Sequence, residues 1–181
     1  MKKYHLILIC IFFLAILNTR YSEQINGINF TIPEPYQCGT ISTGGGPGIG
    51  VYTKYIKDSF FRLFVYSDAE HMDTYVGYQL YTTPNKEKIT IDGHPAMLLK
   101  YSTGPRNPIN STEIIFESDG KIVTIEIPYT NELTNTSIDI IKSTPPSTLS
   151  EFEFNLTMSY ALNIYKIKQD LEDSYPIYIY R

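Results

Sequence analysis

Two Asp-Gly pairs, Asp92–Gly93 and Asp119–Gly120, constrain the fold of this chain more than any other feature of its sequence. Asp-Gly supplies the positive φ angles of a tight primed turn, and each pair lies between two runs of alternating apolar and polar residues. The sequence therefore predicts two consecutive hairpins that form a four-stranded antiparallel meander. Its strands are residues 88–91, 96–101, 113–117 and 121–127.

The alternation within the fourth of these strands predicts which of its side chains reach the core. Val123, Ile125 and Ile127 share one face of the strand, so we expect them to be buried. Thr124 and Glu126 share the other face and are expected to point outward.

Further strands are predicted before the meander, at residues 29–32, 51–55 and 60–66. Residues 68–83 fit a helix and a strand about equally well. After the meander, a short helix is predicted over residues 136–142, with Asn135 as its cap. The sequence thus predicts an α+β fold in which an antiparallel sheet packs with helices.

A longer helix is predicted to begin at the capping box formed by Ser150 and Glu153 and to run to about Leu171. A final strand is expected over residues 177–180. We assign residues 23–143 to a sandwich domain and residues 144–181 to an extension that packs on the same domain. The expected buried stripe of the long helix consists of Phe154, Met158, Ala161, Leu162 and Tyr165.

The start of the chain predicts export. Lys2 and Lys3 precede an unbroken apolar run, Leu6–Leu17, which is the pattern of a secretory signal peptide. As a helix this run spans about 18 Å, short of a hydrocarbon core of roughly 30 Å. We therefore expect residues 1–22 to be cleaved after Ser22, and the domain to work outside the cytoplasm. The alternative is that residues 6–17 are not cleaved and tether the protein to the membrane.

Charge argues against nucleic-acid partners. Loss of residues 1–22 would move the formal net charge from −4 to −7, because the segment contains Lys2, Lys3 and Arg20 but no acidic residue. An acidic protein without a cluster of basic residues repels phosphate backbones. The glycine-rich segment 44–50 matches no phosphate-binding pattern, so no cofactor is predicted.

Cys38 remains as a lone cysteine after cleavage, so it has no partner for an intramolecular disulfide. The simpler interpretation is a small, partly buried apolar residue. The alternative is a thiol that pairs with another protein.

Four N-glycosylation sequons fit an exported protein, although polar loop composition alone also produces such matches. A glycan cannot pack into a core, so any sequon that is used must face solvent. The four acceptor residues are Asn29, Asn110, Asn135 and Asn155.

Four short segments at turns and strand ends carry a resemblance: Gly27–Pro33, Ile91–Ala96, Phe116–Lys121 and Ile140–Ser143. Together with the order of the elements, they resemble the PsbP-like domains. The chain is also similar in its opening to small uncharacterised exported proteins of methanogenic archaea. The likeness covers about Ile25–Ser143 and implies an α/β/α sandwich with a binding or assembly role. Because its motifs are turns and strand ends, it implies no catalytic residues.

Few residues suggest catalysis or metal binding. His94 lies beside a hairpin turn and is expected to be solvated, and no Gly-x-Ser-x-Gly elbow provides a nucleophile. The densest set of potential metal ligands is Asp68, Glu70, His71 and Asp73, which a polar loop or helix start explains equally well. No catalytic, cofactor or metal site is therefore assigned.

The chain contains 16 Tyr, 9 Phe and no Trp, a composition that suits both half-buried sheets and adhesive surfaces.

Two functions stay open. The favoured one is a non-enzymatic exported or cell-surface domain that contacts an envelope protein or a cell-wall polymer through exposed tyrosines. The alternative is a small extracytoplasmic hydrolase, which would need a cleft above roughly 300 Å³ that joins His71 or His94 to acids. The expected tyrosines are Tyr78, Tyr81, Tyr129, Tyr178 and Tyr180.

Overall fold

The computed structural model describes residues 21–43, 48–67, 69–103 and 108–174, which form nine strands and three helices. The strands are β1 (Ser22–Ile25), β2 (Ile28–Thr31), β3 (Thr40–Ser42), β4 (Ile49–Ile56), β5 (Ser59–Tyr66), β6 (Lys86–Ile91), β7 (His94–Thr103), β8 (Ile109–Ser118) and β9 (Lys121–Pro128). The helices are α1 (Ala69–Thr82), α2 (Asn135–Lys142) and α3 (Glu151–Ser174). The predicted α+β fold is confirmed.

Seven strands form one antiparallel sheet in the order β3-β4-β5-β9-β8-β7-β6, and β1 pairs with β2 in a separate hairpin. The four predicted meander strands lie side by side, as the two Asp-Gly turns require. Asp92 and Asp119 both have φ of 50°, and the following glycines have φ of 83° and 74°. Both residues of each turn are thus left-handed, as in a primed hairpin turn.

The large sheet is buried on both faces. On one face, Phe61 of β5 belongs to a core that includes Ile140 of α2 and the β1–β2 hairpin. On the other face, Ile115 of β8 packs in a second core with Val76 of α1 and Met158 of α3. The sheet is therefore the middle layer of the molecule, with α1 and α3 together on its second face.

The second core corrects one prediction. Thr124 was expected to face solvent, but it is buried, and the Glu126 side chain is only 15% exposed. Both project from the face that carries the second core. The prediction was wrong because alternation shows which side chains share a face, whereas burial depends on what covers that face.

Two further details differ from the sequence prediction. The ambiguous stretch 68–83 is helix α1, and the cap of α2 is Thr134, not Asn135. The backbone N–H of Ser137 donates to the Thr134 hydroxyl at 3.2 Å, while Asn135 is the first helical residue. The strand predicted over 177–180 lies outside the described residues.

Helix α3 begins at the predicted capping box. The N–H of Ser150 donates to Glu153 Oε2 at 2.9 Å, and the N–H of Glu153 donates to Ser150 Oγ at 3.3 Å. α3 packs closely on α1, where a Cβ at Gly77 would lie 2.5 Å from the carbonyl oxygen of Ala161. The stripe predicted for α3 faces this contact. Phe154, Met158 and Ala161 are buried, whereas Leu162 and Tyr165 are half-buried.

Glu117, near the end of β8, holds the segment that leads into α3. Its carboxylate accepts hydrogen bonds from the N–H of Gly120, Thr148 and Leu149, and from the hydroxyls of Ser147 and Thr148. Burial alone would raise the pKa of Glu117, but the hydrogen bonds from Ser147, Gly120, Leu149 and Thr148 outweigh it and lower this pKa. A single carboxylate thus ties the β8–β9 turn to the start of α3.

Candidate functional site

Three tyrosine rings gather where α1 and α3 meet. Tyr78 and Tyr81 project from α1 and are each about half exposed. Their ring centroids lie 5.8 Å and 5.5 Å from that of Tyr165 on α3. Beside them Tyr75, also about half exposed, stacks on Tyr66 of β5 at 6.1 Å. We call Tyr75, Tyr78, Tyr81 and Tyr165 the tyrosine surface.

Tyr129 lies elsewhere. Its hydroxyl accepts a hydrogen bond from the N–H of Asp58 at 3.0 Å and donates to the carbonyl of Ile56 at 3.3 Å, so it closes the β4–β5 turn. Lys57 lies over its ring, with Nζ 5.3 Å from the centroid. Among the described rings, none joins Tyr129 to the tyrosine surface. Tyr178 and Tyr180 lie outside the described residues, so the structure brings together two of the five predicted tyrosines.

His94 is buried, which contradicts the expectation that it is solvated. Its Nδ1–H donates to the carbonyl of Glu117 at 2.9 Å, and its ring meets Phe116 edge-on at 5.6 Å. The carbonyl has no proton to give, so this bond places the proton on Nδ1. His94 is therefore a structural residue of the β7–β8 pair. The side chain of His71 lies outside the described part of α1.

Of the four metal-ligand candidates, Asp73 is the one whose side chain the structure describes. Asp68 lies outside the described residues, as do the side chains of Glu70 and His71. Asp73 is buried with Oδ1 unpartnered, and its burial raises its pKa, with Lys168 partly opposing this. Within residues 21–43, 48–67, 69–103 and 108–174, no three His, Cys, Asp or Glu side chains are grouped to hold a metal.

Cys38 is an exposed free thiol, so the interpretation as a partly buried apolar residue is wrong. Its φ of 56° places it in an irregular segment before β3 rather than in a core strand. Three of the sequon asparagines, Asn29, Asn110 and Asn135, face solvent, and Asn155 is half-buried on α3. Use of these sequons remains a prediction.

The first described residues already belong to the fold. The N–H of Ile32 donates to the carbonyl of Tyr21 at 2.9 Å, and Ser22 pairs with Thr31 in the β1–β2 hairpin. Cleavage after Ser22 would remove these contacts, so this position for the cut stays a prediction. In the described part of the chain, none of the helices is both long and apolar enough to cross a membrane.

Pockets of about 440, 310 and 220 Å³ open on the described surface. The first lies beside β2 and α2, where Asp139 and Lys142 are exposed at its rim. His94 lines none of the three. The cleft required by the hydrolase alternative, with a histidine beside acids, is therefore not formed by these pockets.

A buried acidic pair was not anticipated from the sequence. Glu113 of β8 lies directly opposite Glu126 of β9, and Glu126 lies opposite Arg62 of β5. Arg62 Nη1 donates to Glu126 Oε2 at 3.3 Å. Glu113 is only 4% exposed, and its Oε2 has no hydrogen-bond partner. The hydroxyls of Ser111 and Thr124, on the same sheet face, are buried without a partner as well.

The environment of Glu113 favours its neutral form. Burial, followed by the charge of Glu126, raises the pKa of Glu113 to about 8, although Thr124 and Arg62 partly oppose the shift. Burial, and then the charges of Glu113 and Glu126, also raise the pKa of Tyr101 on β7. At neutral pH Glu113 therefore keeps its proton, and Arg62 bonds the neighbouring Glu126.

Comparisons with known proteins identify no family for this chain. No family model matches it, and no curated protein matches. A similar solved structure is the crystal structure of the protein of unknown function PA94 from Pseudomonas aeruginosa, a putative regulator. It shares 16% identity over 66% of this chain and 85% of its own, with a TM-score of 0.31. At that TM-score the likeness supports no inference about fold or function, and the PsbP-like resemblance stays a prediction.

Proposed function

We propose that this chain is an exported, non-enzymatic binding or assembly domain that contacts another protein of the cell envelope through the tyrosine surface. The observation that carries the proposal is the packing of Tyr78 and Tyr81 against Tyr165, which leaves both rings about half exposed. Tyrosine offers a rigid apolar ring and a hydroxyl at low entropic cost, which is why it is enriched at protein interfaces.

The helix layer gives this surface a firm base. Tyr78 and Tyr81 are three residues apart on α1, so they project from the same side of the helix. Val76 and Leu80 of the same helix are buried in the second core, which fixes the orientation of α1 on the sheet. A partner would therefore meet rings that are already positioned, and binding would order few side chains.

A protein partner is favoured over a cell-wall polymer. The chain contains no Trp, the side chain that most often forms flat stacking platforms, and the exposed rings here meet at 67° and 46° rather than in one plane. Tilted rings form a ridged surface that suits a folded partner better than a flat sugar ring.

The test is a pull-down from the native envelope, with and without glycans on the bait, using the Tyr78→Ala/Tyr81→Ala double variant. Loss of two central rings should reduce capture of the specific partner at least tenfold. Tyr55→Ala is the control, because Tyr55 is at least as exposed as Tyr78 and Tyr81 but lies on β4. Equal capture by the double variant and wild type would remove the basis of this proposal. Capture of polysaccharide alone would reassign the partner.

A further inference from the structure

Helix α3 carries a second apolar stripe on the side opposite to its buried one. At 100° per residue, its members fall within an arc of roughly 120° along the whole helix. All except the half-buried Ile164 are between 54% and 75% exposed. The stripe consists of Phe152, Leu156, Tyr160, Ile164, Ile167 and Leu171.

A surface helix normally buries one apolar stripe and presents polar residues on its other side. In α3 the first stripe, which includes Phe154, Met158 and Ala161, already satisfies this requirement by packing in the second core. The second stripe contributes nothing to that core. An exposed row of large apolar side chains about 29 Å long marks a surface that another molecule covers.

The charges of α3 argue against a lipid surface as that molecule. Helices that lie on membranes carry Lys and Arg on their polar side. The sequence of α3 contains Lys166 and Lys168 against five acidic residues, so the helix is net negative. Anionic lipid headgroups would repel it. The acidic residues are Glu151, Glu153, Asp170, Glu172 and Asp173.

We propose that the second stripe is covered by α3 of a second copy of this chain, packed antiparallel about a two-fold axis at the level of residues 161–162, the midpoint of the stripe. In this arrangement the apolar half with Phe152 and Leu156 covers the half with Ile167 and Leu171 of the other copy. Because the two halves are similar in length, an isologous pair buries the stripe of both copies.

Charge favours the antiparallel orientation. Glu153 and Lys168 lie on the same side of the stripe's midline, fifteen residues apart, and antiparallel packing sets Glu153 of one copy within one helical turn of Lys168 of the other. Within one copy, Lys168 Nζ lies 3.5 Å from the Thr74 hydroxyl of α1. Because of the two-fold axis, the pair of Glu153 and Lys168 forms twice in the dimer. A parallel pair would instead bring the acidic first turns of both helices together, at a cost from like-charge repulsion.

The size of the stripe sets the strength of the dimer. Five side chains that are each more than half exposed give roughly 500 Å² of apolar area per copy, which is at the low end of specific interfaces. We therefore expect a reversible dimer with a dissociation constant in about the micromolar range. This surface is separate from Tyr78 and Tyr81, so the inference goes beyond the proposed function.

Sedimentation equilibrium of the purified full chain, over a concentration series, tests the proposal. Ile167→Glu should raise the dissociation constant at least tenfold, because it places a carboxylate in the apolar contact. The matched control is Ile41→Glu on β3, which makes the same change at a similarly exposed position and should leave the constant within twofold. A wild-type monomer at millimolar concentration, or equal effects of both variants, overturns the proposal. A monomer that still captures its envelope partner would leave the proposed function intact.

Charge exchange separates self-association from a contact with another protein. Glu153→Lys and Lys168→Glu should each weaken homodimers, since like charges then meet twice. An equimolar mixture should recover a heterodimer at least as tight as the wild type, because both cross-pairs are again opposite in sign. Helix content from circular dichroism controls for loss of the Ser150 capping box in Glu153→Lys. The urea midpoint controls for loss of the Lys168 contact with Thr74 and Asp73 of α1 in Lys168→Glu. Failure of the mixture to associate, with helix content preserved, contradicts the antiparallel second copy.

Discussion

Glu113 and Glu117 lie four residues apart on the same face of β8, and both are buried, yet their surroundings have opposite effects on the two carboxyl groups. Glu117 accepts five hydrogen bonds, which lower its pKa despite burial. Glu113 has an unpartnered oxygen and a neighbouring carboxyl group at Glu126, and its pKa is raised to about 8. Burial is thus common to both, and the hydrogen-bond donors around each group decide which form is stable.

The comparison separates two uses of a buried acid. Glu117 joins segments that are thirty residues apart in sequence, so its negative charge contributes to holding α3 in place. Glu113 joins no segments through its Oε2, and its ionised form would be a second negative charge beside Glu126. We therefore expect one glutamate to stabilise the fold as an anion and the other to be tolerated only while it carries a proton.

Glu117→Gln should have the largest effect. The amide presents an N–H₂ group where Glu117 now has an acceptor oxygen, so either the N–H of Gly120 or the N–H groups of Thr148 and Leu149 lose their acceptor. We expect a loss of about 4 kcal/mol in the free energy of unfolding at pH 7. Urea unfolding measures it, and Glu113→Gln on the same strand is the comparison, since it should change stability in the opposite direction. A loss below about 1 kcal/mol would show that Glu117 does not hold α3.

Glu113→Gln should have the opposite sign at neutral pH. The unfolded group titrates near 4.5 and the folded one near 8, so between these values only the folded state keeps the proton. The unfolding free energy of the wild type should therefore fall by about 1.4 kcal/mol per pH unit across this window and level off above pH 8. The variant lacks this slope and should be more stable by roughly 3 kcal/mol at pH 7, with equal stability at pH 4.

Urea midpoints of both proteins at pH 4, 5.5, 7 and 8.5 measure this difference. Parallel pH profiles for wild type and Glu113→Gln would contradict a raised pKa at Glu113. In that case the comparison with Glu117 would reduce to a difference in hydrogen bonding alone.

The pairing of Glu113 with Glu126 could have been read from the sequence. A two-residue turn at Asp119–Gly120 fixes the register of the hairpin, and that register places residue 113 opposite residue 126. Two like charges directly opposite each other are unfavourable, which is a signal of an unusual environment. The depth of burial could not be read, because it depends on α1 and α3 covering a face that alternation alone leaves open to solvent.

The Glu117 contacts show the other limit of sequence reasoning. Nothing in the local pattern around Glu117 indicates that Ser147, Thr148 and Leu149 will reach it, since their approach follows from how α3 packs on α1. The tyrosine surface was predictable only in part. Tyr78 and Tyr81 were predicted to be exposed, but Tyr165 was assigned to the buried stripe, and only the packing of α1 on α3 brings the three rings together.

Arg62→Gln should have the smallest effect at neutral pH and sharpens the comparison through its pH dependence. Arg62 is 41% exposed and bonds Glu126 at 3.3 Å, so its removal should cost only about 1 kcal/mol at pH 7. Above pH 8 Glu113 also ionises, and the same guanidinium then offsets both the buried carboxylate of Glu113 and the half-buried one of Glu126, so the cost should rise. Urea unfolding at pH 7 and 8.5 measures the change.

The double variant Arg62→Gln/Glu113→Gln decides whether this rise belongs to Glu113. Without a second carboxylate, the cost of removing Arg62 should stay constant between pH 7 and 8.5. Lys100→Gln is the control, because Lys100 pairs with the exposed Glu87 at 3.8 Å and its loss should be near zero at both values. If the cost of removing Arg62 rises equally with and without Glu113, the group that titrates between pH 7 and 8.5 is not Glu113. Glu113 and Glu117 would then differ in their hydrogen-bond donors but not in their charge.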